Sequence, residues 1–272
     1  MTSVDFRGTL TVRGVDLHVD HRAGEGTPLV LCNGIGANLE LLEPLVAALS
    51  TQQGRRIPTI RFDVPGTGGS PAPRSPYRLR GLARLVRGVV ERLGYDRADV
   101  LGISWGGALA QEIAHRHPGL CRRVVLCATS MGMAMVPARP RVLLTLASPA
   151  RYFRPSRMRE TGARIYGGGF GDDPELVARF AAATRAPDPV GYYGQMFAGW
   201  GWTSAYYLPV LRQPVLVIAS DDDPIIPLVN ARMIAALLRR GTVHVVHGGG
   251  HLALLTHTQE LSPLIHRFLT EG

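Results

Sequence analysis

Val100-Leu101-Gly102-Ile103-Ser104-Trp105-Gly106-Gly107-Ala108-Leu109-Ala110-Gln111-Glu112-Ile113-Ala114-His115 is the stretch on which the reading of this 272-residue chain turns. It opens as a short apolar run of strand type and closes as a helical run that ends before Pro118. Between the two stands Gly102-Ile103-Ser104-Trp105-Gly106, a G-x-S-x-G in the strand–turn–helix context that gives the motif its meaning. A serine at so sharp a turn is forced toward positive φ, at about 1–3 kcal/mol. Side chains two positions away on either side would crowd it, and both positions are glycine. The hydroxyl then projects above the strand end, and the helix behind it offers unpaired N–H groups and a positive dipole end.

A serine hydroxyl is a weak nucleophile until a base within hydrogen-bond reach takes its proton and a third group orients that base. In sites built on such a turn, an acid and then a histidine follow later in the chain. After the apolar run Val215–Ala219 the text reads Ser220-Asp221-Asp222-Asp223-Pro224-Ile225-Ile226-Pro227, so three carboxylates compete. After the last strand-like run, Val243-His244-Val245-Val246-His247-Gly248-Gly249-Gly250-His251 offers three histidines. His244 lies within the strand and His247 at its end. His251 follows three glycines, in a loop able to reach back over the strand ends, and is the expected base. A zinc site from the three fails, because a strand would point the first two away from a common centre. His257 and His266 are read as surface residues. A developing oxyanion needs two N–H donors. The expected pair is the amide of Trp105 and that of Ile35, in the loop Asn33-Gly34-Ile35-Gly36 after Leu29–Cys32.

Outward from the site, short runs without polar alternation recur at 28–32, 57–62, 100–103, 124–127, 215–219 and 243–246. Strands of that kind are buried on both faces, as a parallel sheet covered by helices requires. Residues 9–19 alternate around Arg13-Gly14 and predict an antiparallel hairpin at a sheet edge. Helical periodicity appears over 79–93 with a stop at Gly94, over 228–240, and over 259–269, where Pro263 places the regular start near Ser262. From about 130 to 211 no clean strand appears, and the text is rich in Met, Trp, Tyr, Gly and Pro. So long a structureless stretch is implausible. The expectation is an α/β core over 1–130 and 211–272, with an inserted, mostly helical cap over 131–210. Asp63-Val-Pro-Gly-Thr-Gly-Gly-Ser70 lacks the lysine and spacing of a phosphate loop and is read as a structural turn.

All 30 basic residues are Arg and the formal charge is +9. The arginines are scattered rather than gathered into a stripe, so no nucleic-acid partner is expected, although attraction to an anionic surface fits the charge. Cys32, Cys121 and Cys127 are an odd set without metal-ligand spacing and are read as reduced residues, two of them in strand-like runs. No apolar run approaches the ~20 residues of a membrane span. MTSVDFRGTL has no basic-then-apolar pattern of a secretory signal, and a cytoplasmic protein is expected. No cofactor and no metal are expected.

These motifs resemble the α/β-hydrolase superfamily. Asn33-Gly-Ile-Gly-Ala-Asn-Leu-Glu40, Gly102–Gln111, Ile165-Tyr-Gly-Gly-Gly-Phe170, Phe197-Ala-Gly-Trp-Gly-Trp-Thr-Ser204 and Asp221–Pro227 are similar to intracellular depolymerases of medium-chain-length poly(3-hydroxyalkanoate). The resemblance implies a mostly parallel eight-stranded sheet with helices on both faces and an inserted helical cap. It implies Asp223 as the acid, because family members place it four residues before the proline that Pro227 matches. It makes Ser104, Asp223 and His251 a catalytic triad. Asn33 stands where many α/β-hydrolases carry His, a departure this depolymerase group shares. The implied substrate is an aliphatic polyester of 3-hydroxy acids, with the storage-granule surface as a partner. A carboxylesterase or lipase on small or lipid esters uses the same machinery, and a non-catalytic granule-binding protein is a third class.

Overall fold

The computed structural model describes residues 4–50, 56–147, 162, 165–172, 174–183 and 188–271. Eight strands form one sheet: β1 (Phe6–Val12), β2 (Val15–Arg22), β3 (Leu29–Cys32), β4 (Thr59–Phe62), β5 (Ala98–Ile103), β6 (Cys121–Cys127), β7 (Val215–Ser220) and β8 (Gly241–Val246). Their order is β1-β2-β4-β3-β5-β6-β7-β8. The first two pairings, β1 with β2 and β2 with β4, are antiparallel, and every other pairing is parallel. The expected edge hairpin forms around Arg13 and Gly14, both at positive φ, the two-residue turn whose twist matches that of the flanking strands.

The parallel strands carry apolar side chains on both faces, and the pleat sorts them. Val30, Cys32, Val100, Val124, Leu126, Val215 and Val217 pack toward α2 (Leu79–Arg92), α3 (Trp105–Arg116) and α7 (Val229–Leu237). Leu29, Leu31, Leu101, Ile103, Val125, Cys127, Leu216 and Ile218 pack toward α1 (Glu43–Ser50), α8 (Ala253–Thr256) and α9 (Thr258–Thr270). Burial of each such side chain stabilises the fold by about 1.5–3 kcal/mol. All three cysteines are buried and free. Helix α2 ends as expected, with Gly94 at φ 79° and the Tyr95 N–H bonded back to Val90 O.

Two expectations for the C-terminal helix are corrected. It begins at Thr258, not near Ser262, and carries Pro263 inside. The proline removes a single intrahelical bond, while the Glu260 and Leu261 amides both bond to His257 O. His266 is buried, 3% exposed, because it shares a helix edge with Ser262 and Leu269 at four- and three-residue spacing.

Between β6 and β7 the chain forms α4 (Pro140–Leu146), α5 (Pro174–Ala183) and α6 (Pro189–Gly199), with a single isolated bridge, Gly132 to Thr203, and no sheet strand among the described residues. Ala138, Val142, Ile165, Tyr166, Phe170, Val177 and Phe180 from this region pack with Ala37, Leu41, Ile225 and Leu252, which follow β3, β7 and β8. This third cluster lies at the carboxyl ends of the strands.

Strand β4 clamps the loop that follows β3. Arg61, 1% exposed, donates to Leu39 O and pairs with Asp20 and Glu43. Asp63 accepts the Leu39 and Gly69 amides at 2.8 Å each. Ser70 Oγ accepts the His18 amide and donates to Asp63 O, so the 63–70 segment is the structural turn its sequence suggests.

The elbow depends on missing side chains. A Cβ on Gly106 would stand 2.1 Å from Cys32 O and 2.5 Å from Asn33 O, and one on Gly102 would stand 2.2 Å from Gly106 O. Helix α3 therefore meets β3 and β5 in backbone contact. Gly106→Ala should cost about 3 kcal/mol or more in urea unfolding, as severe overpacking does. Gly119→Ala, with nothing within 4 Å of the added carbon, should cost under about 1 kcal/mol. Equal values for the two would show that the close approach does not hold the elbow.

Burial pushes the Asp63 carboxyl up to about 6, against the two amide bonds that oppose it. The folded chain then holds this proton more tightly than the unfolded chain between about pH 4 and pH 6, so this group's contribution to stability falls as pH rises through that window. The stability advantage of the wild type over Asp63→Asn should accordingly shrink from pH 4 to pH 6.5 in parallel urea titrations; a constant or growing advantage would contradict it.

Candidate active site

Ser104 sits between β5 and α3 at φ 54° and ψ −119°. Its own backbone is pinned on both sides. The Ser104 N–H donates to Cys127 O at 2.9 Å, and Ser104 O accepts from the Gly107 N–H at 2.9 Å and from Thr129 Oγ1 at 2.7 Å. Thr129, in the segment after β6, carried no sequence signal for this role. It packs on Gly107, where a Cβ would stand 2.4 Å from its side chain.

His251 approaches from the loop after β8. Its Nε2 lies 3.0 Å from Ser104 Oγ, and its Nδ1 lies 2.8 Å from Asp223 Oδ2. A carboxylate only accepts, so the proton sits on Nδ1 and Nε2 faces the serine as an acceptor. The side chains of His251 and Asp223 are 5% and 1% exposed. Asp223 Oδ1 is taken up by the amides of Ile225 and Ile226, at 2.8 and 2.9 Å. That pair of bonds fixes the carboxylate plane and leaves the other oxygen for the histidine. The His251 backbone is held too: its N–H donates to Tyr166 O at 2.6 Å, and the Tyr166 ring stacks near the imidazole with centroids 6.4 Å apart.

The competing residues find other partners. Asp222 Oδ2 accepts the Gly168 amide at 2.8 Å. Asp221 accepts from Gly248 N and faces His247 Nδ1 at 2.8 Å, and the His247 bond holds its carboxyl below the usual range. His244 Nε2 pairs with Glu260 at 3.0 Å. The three histidines of the final segment thus serve three different carboxylates rather than one centre. Among the described residues no group of three or more His, Cys, Asp or Glu is placed to hold a metal ion.

Ser104, Ile35 and His251 line one cavity of about 290 Å³, and Trp105 begins the helix that starts at its floor. The Trp105 amide is the first of α3 and has no intrahelical acceptor. The loop carrying Ile35 runs alongside Ser104: a Cβ on Gly34 would lie 3.6 Å from Ser104 Cβ. Asn33 turns away, donating through Nδ2 to Asn38 O. The remaining walls are apolar, with Leu143, Leu146, Tyr192 and Met196 arriving from the region between β6 and β7. Another contributor was not legible in the sequence. Gln195, fully buried, accepts the Gly36 N–H on Oε1 at 2.8 Å, and its backbone carbonyl accepts the Trp105 indole N–H at 2.9 Å. Its only sequence signal is that it is the one side-chain amide in the aromatic run 191–202.

Comparison with known proteins agrees with this fold. The family described as alpha/beta hydrolase fold matches residues 27–258. The chain is 47% identical over 245 residues to a poly(3-hydroxyalkanoate) depolymerase of Ectopseudomonas oleovorans, covering 90% of this chain and 85% of that protein. It is 27% identical to a 2-hydroxymuconate semialdehyde hydrolase of Pseudomonas putida, over 93% of this chain and 90% of the other. The crystal structure of an enol-lactonase from Burkholderia xenovorans LB400 superposes with a TM-score of 0.83 at 24% identity, covering 97% of this chain and all of that one, a likeness of fold. With the eight-stranded sheet, the strand–turn–helix serine and the family match in agreement, the chain belongs to the α/β-hydrolase family.

Proposed function

We propose that this protein is a carboxylic ester hydrolase that cleaves poly(3-hydroxyalkanoate) through an acyl-enzyme on Ser104. The observation that carries the reading is the unbroken chain Asp223–His251–Ser104 at the floor of an apolar cavity, in a chain nearly half identical to a protein named for that activity. His251 Nε2 takes the Ser104 proton as Oγ attacks the ester carbonyl. Asp223 keeps the imidazole oriented and stabilises its positive charge. The amides of Ile35 and Trp105 hold the oxyanion. Collapse of the tetrahedral intermediate expels the alcohol end of the neighbouring repeat, which receives the proton from His251. Water, activated by the same imidazole, then releases the 3-hydroxy acid or a short oligomer.

The cavity volume favours one acyl unit at a time, since about 290 Å³ lies at the small end of ligand pockets. Its leucine, methionine and aromatic lining suits an alkyl side chain. The same volume favours a second reading, a carboxylesterase acting on small or lipid esters. In either case residues 131–210 act as a cap over a core of 1–130 and 211–272, because side chains from that segment roof the serine.

Polymer is insoluble, and the enzyme must meet it at a surface. Among the described residues, most of the large apolar side chains that stand exposed come from the cap, including Met133, Leu144, Val190, Tyr193, Phe197, Trp200, Tyr206 and Val210. Val190, Tyr193, Phe197 and Trp200 repeat at helical spacing along α6 and its end, beside Met196, which also lines the cavity. An apolar stripe next to the site entrance supports docking on a storage granule. No described helix is long and apolar enough to cross a membrane, so the contact is peripheral.

Ser104→Ala should fold normally and lose at least about 10⁴-fold in turnover of p-nitrophenyl esters, and Asp223→Asn should lose about 10⁴-fold. If Asp222→Asn is the crippling change while Asp223→Asn is mild, the acid is misassigned. Released 3-hydroxy acids, read by mass spectrometry after incubation with medium-chain polymer granules, test the substrate: soluble-ester activity without granule clearing would favour the small-ester reading.

Replacing Tyr193 and Trp200 together by Ser should lower binding to granules and polymer clearing by about tenfold or more, with soluble-ester turnover within twofold of wild type. Unchanged granule binding would remove the stripe from the docking surface.

A further inference from the structure

Helix α6 reaches both sides of the oxyanion site through one residue. Gln195 is fully buried. Its side-chain oxygen accepts the Gly36 N–H at 2.8 Å, across 159 residues of sequence. Its backbone oxygen accepts the indole N–H of Trp105 at 2.9 Å, across 90 residues. Gly36 and Trp105 lie in the two segments that carry the oxyanion donors, and no other described residue is bonded to both.

The mechanical consequence follows from the peptide bond. The Gly36 N–H lies in the rigid plane that joins Ile35 to Gly36. Anchoring it restrains the ψ of Ile35 and, through it, the orientation of the preceding plane, which holds the Ile35 N–H. The Ala37 N–H bond to Gly34 O, at 3.2 Å, closes a turn across Ile35 and Gly36 but leaves the orientation of their central peptide plane to other contacts, with glycine on both sides and Gly36 at φ 72°. The second bond tethers the ring of the first residue of α3, whose amide is the other donor.

The orientation of the Gln195 amide is also determined. Gly36 can only donate, so the oxygen must face it. That leaves Nε2 buried without a hydrogen-bond partner, a desolvation penalty that nothing repays. An apolar residue of similar length would avoid the penalty. The position instead keeps a side chain whose acceptor end is used and whose donor end is not, which is expected where the acceptor serves the site.

We propose that Gln195 is a positioning residue for the oxyanion donors, setting their spacing from helix α6 of the cap by holding Gly36 with its side chain and the Trp105 indole with its backbone. The proposal rests on the acyl-enzyme reading above, in which the Ile35 and Trp105 amides stabilise the oxyanion. It ties the cap to the chemistry as well as to substrate binding.

The test compares wild type, Gln195→Met, Gln195→Glu, Trp105→Phe and Ser104→Ala on p-nitrophenyl octanoate, with thermal unfolding as a check on folding and an alkyl boronic acid as a mimic of the tetrahedral intermediate. Gln195→Met removes the acceptor at nearly constant volume. It should lower kcat by about tenfold or more, short of the 10²–10³ seen when a donor is deleted outright. KM should stay within about twofold, and boronate affinity should fall in parallel with kcat/KM. Gln195→Glu keeps an acceptor toward Gly36 and should recover most of kcat. Trp105→Phe keeps the backbone amide, removes the other bond and should show a smaller loss with the same split; it carries the test if Gln195→Met does not fold. The proposal is overturned if Gln195→Met, or in its absence Trp105→Phe, leaves kcat unchanged, or if KM rises in step with the loss while boronate affinity holds. Wild type no more active than Ser104→Ala would instead overturn the acyl-enzyme reading, and the proposal with it.

Discussion

A serine held at φ 54° is a strained residue, and the fold exists in a form that keeps it there. Such a conformation persists only where its surroundings over-determine it. Here the Ser104 amide is tied to Cys127 O on the neighbouring strand, and its carbonyl is tied to Gly107 and to Thr129. Glycines at 102 and 106 let α3 start in backbone contact with β3 and β5. Three adjacent strands thereby fix Ser104 at the centre of the sheet.

The rest of the site is assembled by loops that leave the same edge of the sheet. Each is short and is held at a point close to its functional group: Leu39 by Arg61 and Asp63, Asp223 by the Ile225 and Ile226 amides, His251 by Tyr166 O. The loops supply groups, and the buried polar contacts beneath them supply precision. Asn33, Asp63, Thr129 and Asp223 are buried polar side chains at the carboxyl ends of the strands, where an apolar filling would leave the loops without a defined geometry.

The region between β6 and β7 does more than cover the cavity. Its inner aromatic residues complete a cluster with Leu41, Ile225 and Leu252, so it packs on the loops that carry Asp223 and His251. Tyr166 and Gln195 extend that packing into hydrogen bonds with the His251 backbone and the Gly36 amide. Its outer face is unusually apolar for a protein surface. One segment therefore presents apolar side chains to the outside and packs on the loops of Asp223 and His251 on the inside.

The sequence by itself determined the local grammar: the elbow, the doubly buried strands, the hairpin at Arg13-Gly14, the helix stop at Gly94 and the order in which serine, aspartates and histidines appear. Each is a matter of backbone conformation or of period-two and period-3.6 burial, which neighbouring residues specify. Where local rules met tertiary contact they failed. Pro263 falls inside a helix whose first turn is anchored by His257 O, and His266 is buried because of which helix edge faces the fold. Only the tertiary structure decided how Asp221, Asp222 and Asp223 are divided among His247, Gly168 and His251, because adjacent carboxylates look alike until their partners arrive from distant loops. Gln195 is the extreme case: its partners lie 159 and 90 residues away, and a glutamine in an aromatic helix has no local feature to announce them.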